Sequence, residues 1–173
     1  MLRGVNLGKR RMKMDALRAM CEELGLANPR TYVQSGNVVF ETKERNVAKL
    51  TKRIEEAIQA TFRFHSDTVL RTTEEMRDAI ARNPFAGRKG IEPGKLLVVF
   101  LSGDPGAEVK KVIESIKDVP EEAVLSGREI FIYFPNGQAR PKLKFAVIDR
   151  ALKVNWTGRN LNTATSLLDI ATG

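Results

Sequence analysis

The stretch Arg30-Thr31-Tyr32-Val33-Gln34-Ser35-Gly36-Asn37-Val38-Val39-Phe40-Glu41-Thr42 decides the fold. Two runs rich in β-branched and aromatic residues, 30–34 and 38–42, flank Ser-Gly-Asn at 35–37. The flanks suit a pleated, half-buried surface, and Gly and Asn tolerate the left-handed backbone of a tight turn, so the segment predicts a β-hairpin.

Upstream, Met14 to Leu24 places Met14, Leu17, Cys21 and Leu24 on one face of a helix, and Asn28-Pro29 is expected to break the chain. Downstream, Asn46 to Ala60 predicts a second amphipathic helix with Val47, Leu50, Ile54 and Ile58 inward. Leu2 to Val5 and Asp67 to Arg71 read as strands. The order β-α-β-β-α-β is that of a ferredoxin-like unit. Thr72-Thr73-Glu74-Glu75 then caps a linking helix to Arg82, and Gly87 to Gly94 reads as a connector.

The order recurs in the second half. Lys95 to Leu101 is a continuous apolar strand, Glu108 to Lys117 a helix, Ala123 to Ser126 and Glu129 to Phe134 a hairpin. Leu143 to Leu152 is a helix begun near Pro141, Val154 to Trp156 a short strand, and Asn162 to Ile170 a final helix. Ser35-Gly36 and Ser126-Gly127 fall in corresponding hairpins. The expectation is an α+β protein of two tandem ferredoxin-like units with antiparallel sheets, a linking helix and a C-terminal helix. The first unit would occupy residues 1–83 and the second 84–173. One larger mixed sheet is the alternative.

Of 173 residues one is Cys and one is His. That excludes an intrachain disulfide, a multi-cysteine zinc site and a two-histidine metal motif, so neither metal nor cofactor is expected. No apolar run reaches the ~20 residues of a membrane span, and the N-terminal residues hold no apolar core, so a cytoplasmic protein without a membrane partner is expected.

The formal net charge is +8. Residues 1–14 hold Arg3, Lys9, Arg10, Arg11 and Lys13 with no acid, and residues 136–160 hold six cations against Asp149. Such segments attract phosphates, nucleic acid or acidic partners. The β-α-β-β-α-β topology brings three connections to one end of the sheet. They carry Arg3, Asn6 and Lys9; Gln34, Ser35 and Asn37; and Arg63 with His65. Helix N-termini, glycines and Arg or Asn donors at such an end favour an anion. Arg159, Asn160 and Asn162 precede the last helix, where Asn160 or Asn162 suits an N-cap and Arg159 suits a phosphate or carboxylate.

No catalytic residue is assigned. Cys21 belongs on an apolar helix face, where a thiol is a small core residue. His65 lacks an evident orienting carboxylate, Asp67 being expected on the opposite face. Phe131 and Tyr133 share one strand face that could stack bases or be covered as core. The expected function is binding of a phosphate-bearing or other anionic ligand, a nucleotide or a nucleic acid. The alternatives are an enzyme on a small anionic metabolite, with Arg3 and Arg159 as clamps and His65 or Ser35 as the chemical group, and a protein–protein module using an uncovered sheet face.

Leu2-Arg3-Gly4-Val5-Asn6-Leu7-Gly8, Tyr32-Val33-Gln34-Ser35-Gly36-Asn37-Val38-Val39-Phe40, Asn83-Pro84-Phe85 and Arg159-Asn160-Leu161-Asn162-Thr163 together resemble a bacterial family catalogued as domain of unknown function 1697. The resemblance implies a compact tandem ferredoxin-like protein. It carries over motif positions only: Arg3, Gly4, Asn6, Gly8, Gln34, Ser35, Gly36, Asn37, Arg159, Asn160, Asn162 and Thr163. Two departures stand out. Leu161 takes a place where the family often has tryptophan, and few apolar residues precede Leu2, so the first strand is expected to be short.

Overall fold

The structure, a computed structural model, describes all residues from Met1 to Gly173. It is a mixed α+β fold with six α-helices and two antiparallel sheets, one of two strands and one of four. The chain divides into two units, Met1–Thr73 with Ser166–Gly173, and Glu74–Thr165.

In the first unit the hairpin forms as β1 (Ala27–Tyr32) and β2 (Asn37–Glu41). β1 continues through Asn28-Pro29, where a chain break was expected, but irregularly. The register shifts between Ala27 and Arg30, and Asn28 takes a φ of 50°. Proline has no N–H to give a ladder, so it is tolerated on a two-stranded sheet's edge and at a bulge. The expected strands at 2–5 and 67–71 reduce to one isolated antiparallel bridge, Leu2 to Thr68. Three backbone bonds hold that corner: Leu2 N–H to Gly36 O at 2.9 Å, Arg3 N–H to Asp67 O at 3.0 Å and Val69 N–H to Met1 O at 2.9 Å.

Helices α1 (Met14–Glu23) and α2 (Val47–Phe62) close this core. Asn46 caps α2 by accepting from Lys49 N–H at 2.9 Å, and Arg63 ends it in the left-handed region. Leu2, Val5, Leu17, Cys21, Leu50, Ile54 and Ile58 are buried together, as the helical spacing required. Each such aliphatic contributes about 1.5–3 kcal/mol on burial. The Arg53 guanidinium donates to Leu24 O at 2.9 Å and satisfies a carbonyl at the end of α1.

The second unit opens with α3 (Thr73–Ala81) and contains β3 (Leu96–Leu101), α4 (Gly106–Glu114), β4 (Glu122–Ser126), β5 (Glu129–Tyr133), α5 (Phe145–Ala151) and β6 (Trp156–Asn160). The helix expected from Leu143 starts only at Phe145. The last strand extends to Asn160, through residues read from sequence as a loop. The strand order is β4-β5-β3-β6, all antiparallel. Val99, Leu101, Ile130 and Ile132 face a core with Val109, Ile113 and Ile148 from α4 and α5.

The opposite face of that sheet is also buried. All five residues of β5 are inaccessible, Phe131 wholly so. The Tyr133 ring lies 6.1 Å from that of Phe85, and its hydroxyl donates to Gly90 O at 3.1 Å. Arg82 pairs with buried Glu129 at 2.9 Å, and Arg128 with Glu75 at 2.6 Å. The linking segment therefore covers the face that carries Phe131 and Tyr133. Of the two readings of that strand face, core packing is the one the structure shows.

The last helix, α6 (Leu161–Thr172), begins in the second unit and ends in the first. No helix is long and apolar enough to cross a membrane.

Candidate functional site

In the first unit the connections expected to converge do so through hydrogen bonds. Asn6 occupies the left-handed region (φ 55°), which Asn tolerates better than other L-residues. Its amide donates to Met12 O at 3.0 Å and to Gln34 O at 2.7 Å, while its Oδ1 accepts from Met12 N–H at 2.8 Å. Both donors are used. Asn6 thus closes the base of the loop Leu7–Arg11 and ties it to the hairpin turn, instead of presenting its amide to solvent.

Asn37 is likewise structural. It is fully buried, and its amide donates to Tyr32 O at 3.0 Å and to Ser35 Oγ at 2.9 Å. Gly36 sits at φ 73°, and a Cβ there would lie 2.5 Å from Val5 Cγ2 and 2.9 Å from Leu2 Cβ. The turn is pressed onto the core, and only glycine fits.

The third connection joins through Ser66, whose hydroxyl donates to Arg3 O at 2.9 Å. Asp67 lies 3.5 Å from the Arg3 guanidinium and 3.0 Å from His65 Nε2. The expectation that Asp67 points away from His65 is corrected: residues two apart along an extended segment share a face. His65 and Arg63 border an open depression against the α2 residues Lys52, Glu55, Glu56 and Gln59. Neither Arg3 nor Ser35 lines it.

Leu7, Gly8, Lys9, Arg10, Arg11 and Lys13 are all exposed. Arg10 lies over the Phe64 ring, 5.9 Å from its centre. Lys9, Arg11 and Lys13 pair with no acidic side chain. Lys13 is the α1 N-cap and gives the helix no side-chain cap. Gln34 is exposed on the adjoining turn.

In the second unit the three candidates do other work. Arg159 is buried on β6 beside Thr157, donating to Thr157 Oγ1 at 2.8 Å and Gly158 O at 2.7 Å. Burial lowers its guanidinium to about 10. It is not an exposed clamp. Asn160 is the N-cap of α6, accepting from Thr163 N–H at 2.9 Å, and Asn162 is exposed on the first turn. No local pattern marks the buried carboxylate of Glu121, which accepts from Lys142 and Leu143 N–H at 3.0 Å each.

The family described as protein of unknown function (DUF1697) matches residues 1–131. The chain belongs to this family. The DUF1697 match includes the whole loop and turn of the first unit, and Arg159 to Thr163 lie outside it. The conserved bacterial protein SP0830 from Streptococcus pneumoniae has a similar fold, with a TM-score of 0.73 over 100% of this chain and 96% of that one at 21% identity. No curated protein matches this DUF1697 chain.

Proposed function

We propose that the protein binds a phosphate-bearing ligand, a nucleotide or a nucleic acid, on the Leu7–Lys13 loop of its first unit. The supporting observation is the exposed run Lys9, Arg10, Arg11, Lys13, of which the first three lie on the loop that the Asn6 amide closes at Met12 and Lys13 lies just beyond it. A closed loop holds its cations near one another before any ligand arrives, so less ordering entropy is lost on binding. Arg3 and Gln34 flank the loop, while Asn6, Ser35 and Asn37 position it. Titrating a labelled oligonucleotide across a salt series tests this. Binding should weaken linearly in log salt, by about 0.9 per neutralised phosphate on duplex. The triple variant Lys9→Gln/Arg11→Gln/Lys13→Gln should flatten that slope. Absence of binding to both nucleotides and oligonucleotides at low salt removes the proposal.

Both units are, in this reading, ferredoxin-like. The order β4-β5-β3-β6 is that of a β-α-β-β-α-β unit counted from β3. Leu2, bonded to Gly36 on one side and bridged to Thr68 on the other, takes the place of a first strand worn down to one residue.

A second reading, catalysis on a small anion, draws on the 3.0 Å contact of His65 with Asp67, which supplies the orienting carboxylate a general base needs. It calls for a metabolite that binds at Arg63 and is turned over, with loss of turnover in His65→Gln.

A further inference from the structure

Two of the four large apolar side chains most exposed to water flank this loop. Leu7 is 68% exposed and Val33 51% exposed. They sit one residue from either end of the Asn6–Gln34 hydrogen bond, Leu7 on the loop and Val33 on the turn. Val33 also holds a φ of 50°. That conformation is unfavourable for a β-branched residue and persists only where its surroundings impose it. Here they do: Asn37 grips Tyr32 O, Asn6 grips Gln34 O, and Gly36 O accepts from Leu2 N–H. A half-exposed apolar side chain is thus held on the turn that Asn6 ties to the cationic loop.

We infer that the ligand of this surface is a single-stranded polynucleotide, with Leu7 and Val33 against base faces and Lys9, Arg11 and Lys13 on successive phosphates. The inference rests on the phosphate-binding reading above and narrows it. A mononucleotide would need enclosing walls, whereas Leu7 and Val33 are exposed on a loop and on a turn. A duplex offers phosphates but hides the apolar faces of its bases, so Leu7 and Val33 would gain nothing from it. An unpaired strand offers both together; non-specific single-strand binders join a cationic groove to aromatic side chains that contact base faces, and here two aliphatic side chains take that place. The loop cations supply the electrostatic part, and the two aliphatic tips supply the part that salt does not screen.

The test uses the full chain in anisotropy titrations against three probes. These are a labelled oligothymidylate of about 15 nucleotides, a duplex of equal length, and vesicles rich in anionic lipid. The single strand should bind about tenfold more tightly than the duplex at equal salt. Its salt slope should be about 0.7 per phosphate, or about 2 for three cations. Leu7→Ala/Val33→Ala, at exposed positions that leave the core intact, should weaken the single strand about tenfold and leave both its slope and duplex binding unchanged. Val33→Gly, which relaxes the backbone as well as removing the side chain, should weaken the single strand no more than Val33→Ala does, so that the loss reads as contact and not as strain. Equal binding of duplex and single strand, or an unchanged single-strand affinity in the double Ala variant, overturns this inference and leaves the phosphate-binding reading standing. Loss of binding to every oligonucleotide overturns both. Vesicle binding that depends on Leu7 and Val33, with no oligonucleotide bound, also overturns it.

Discussion

Asn6 and Met12 are joined twice by one side chain, which donates to Met12 O at 3.0 Å and accepts Met12 N–H at 2.8 Å. The amide does what a paired backbone would do, and a third bond to Gln34 O fixes the loop to the turn. Asn6→Ala should therefore lower unfolding free energy by about 2 kcal/mol, since three partners lose a bond and a left-handed residue loses its preferred type. Denaturant unfolding measures the drop. Asn6→Asp, which keeps the acceptor and loses both donors, should fall between. An Ala variant as stable as the parent would show that the loop is not held this way.

Gly36→Ala should be worse. The added methyl meets Val5 and Leu2 well inside van der Waals contact, on a backbone already at positive φ. The strain and overpacking together should cost more than about 2 kcal/mol. Its partner in the other hairpin, Gly127, has only the flexible Arg82 guanidinium nearby, at 3.4 Å, so Gly127→Ala should cost about 1 kcal/mol, from φ alone. Reversal of that order in thermal melts would contradict the packing described.

Val33→Gly should stabilise the protein by about 1 kcal/mol, because glycine relieves a left-handed valine whose side chain is half exposed to water. Val33→Ala should be near neutral. A destabilised Val33→Gly in urea unfolding would mean that the side chain supports the turn.

Glu121 should make the second unit acid-sensitive. Burial pushes its carboxyl up, but Lys142, Leu143 and its own backbone N–H donate to the carboxylate and leave it below its ordinary 4.5. A depressed folded value stabilises above the unfolded value, and that contribution is lost as pH falls through the folded one. Stability should thus decline below pH 4.5, and Glu121→Gln should flatten the decline while costing about 2 kcal/mol at neutral pH. Urea unfolding at several acid pH values checks both.

Cys21 acts at the other end of the scale. Burial pushes its thiol from 9.0 up to about 11. A raised folded value keeps the thiol protonated in the native state while the unfolded chain ionises, so stability should fall as pH rises between those values, by about 2 kcal/mol. Cys21→Ala should remove that slope. At neutral pH a thiol reagent should modify Cys21 only at the rate of unfolding, and fast labelling of the native chain would refute its burial.

The hairpin, the two apolar helix faces and the buried strand β3 could be read directly, since each is a local pattern of period 2 or 3.6 or a continuous apolar run. The convergence of Arg3, Asn6, Gln34 and His65 followed from element order alone. The side-chain roles did not. Asn6 and Asn37 looked like ligand donors, because a polar residue near a glycine reads the same whether its amide faces water or a carbonyl. Asp67 shares a face with His65 because residues two apart along an extended chain point the same way.

By itself, then, the sequence determined where chain segments are helical or extended, how the charge is distributed, and that Cys21 lies in a core. Those properties depend on neighbours a few residues away. Tertiary structure alone decided that Leu2 bridges rather than forms a strand, that β1 passes through Pro29, and that Arg159 is buried. It also decided that the linking segment covers Phe131 and Tyr133 while Val33 is held out in water. Each of these depends on which distant group fills the adjacent space, and hydrogen-bond satisfaction and close packing fix that only once the whole chain is folded.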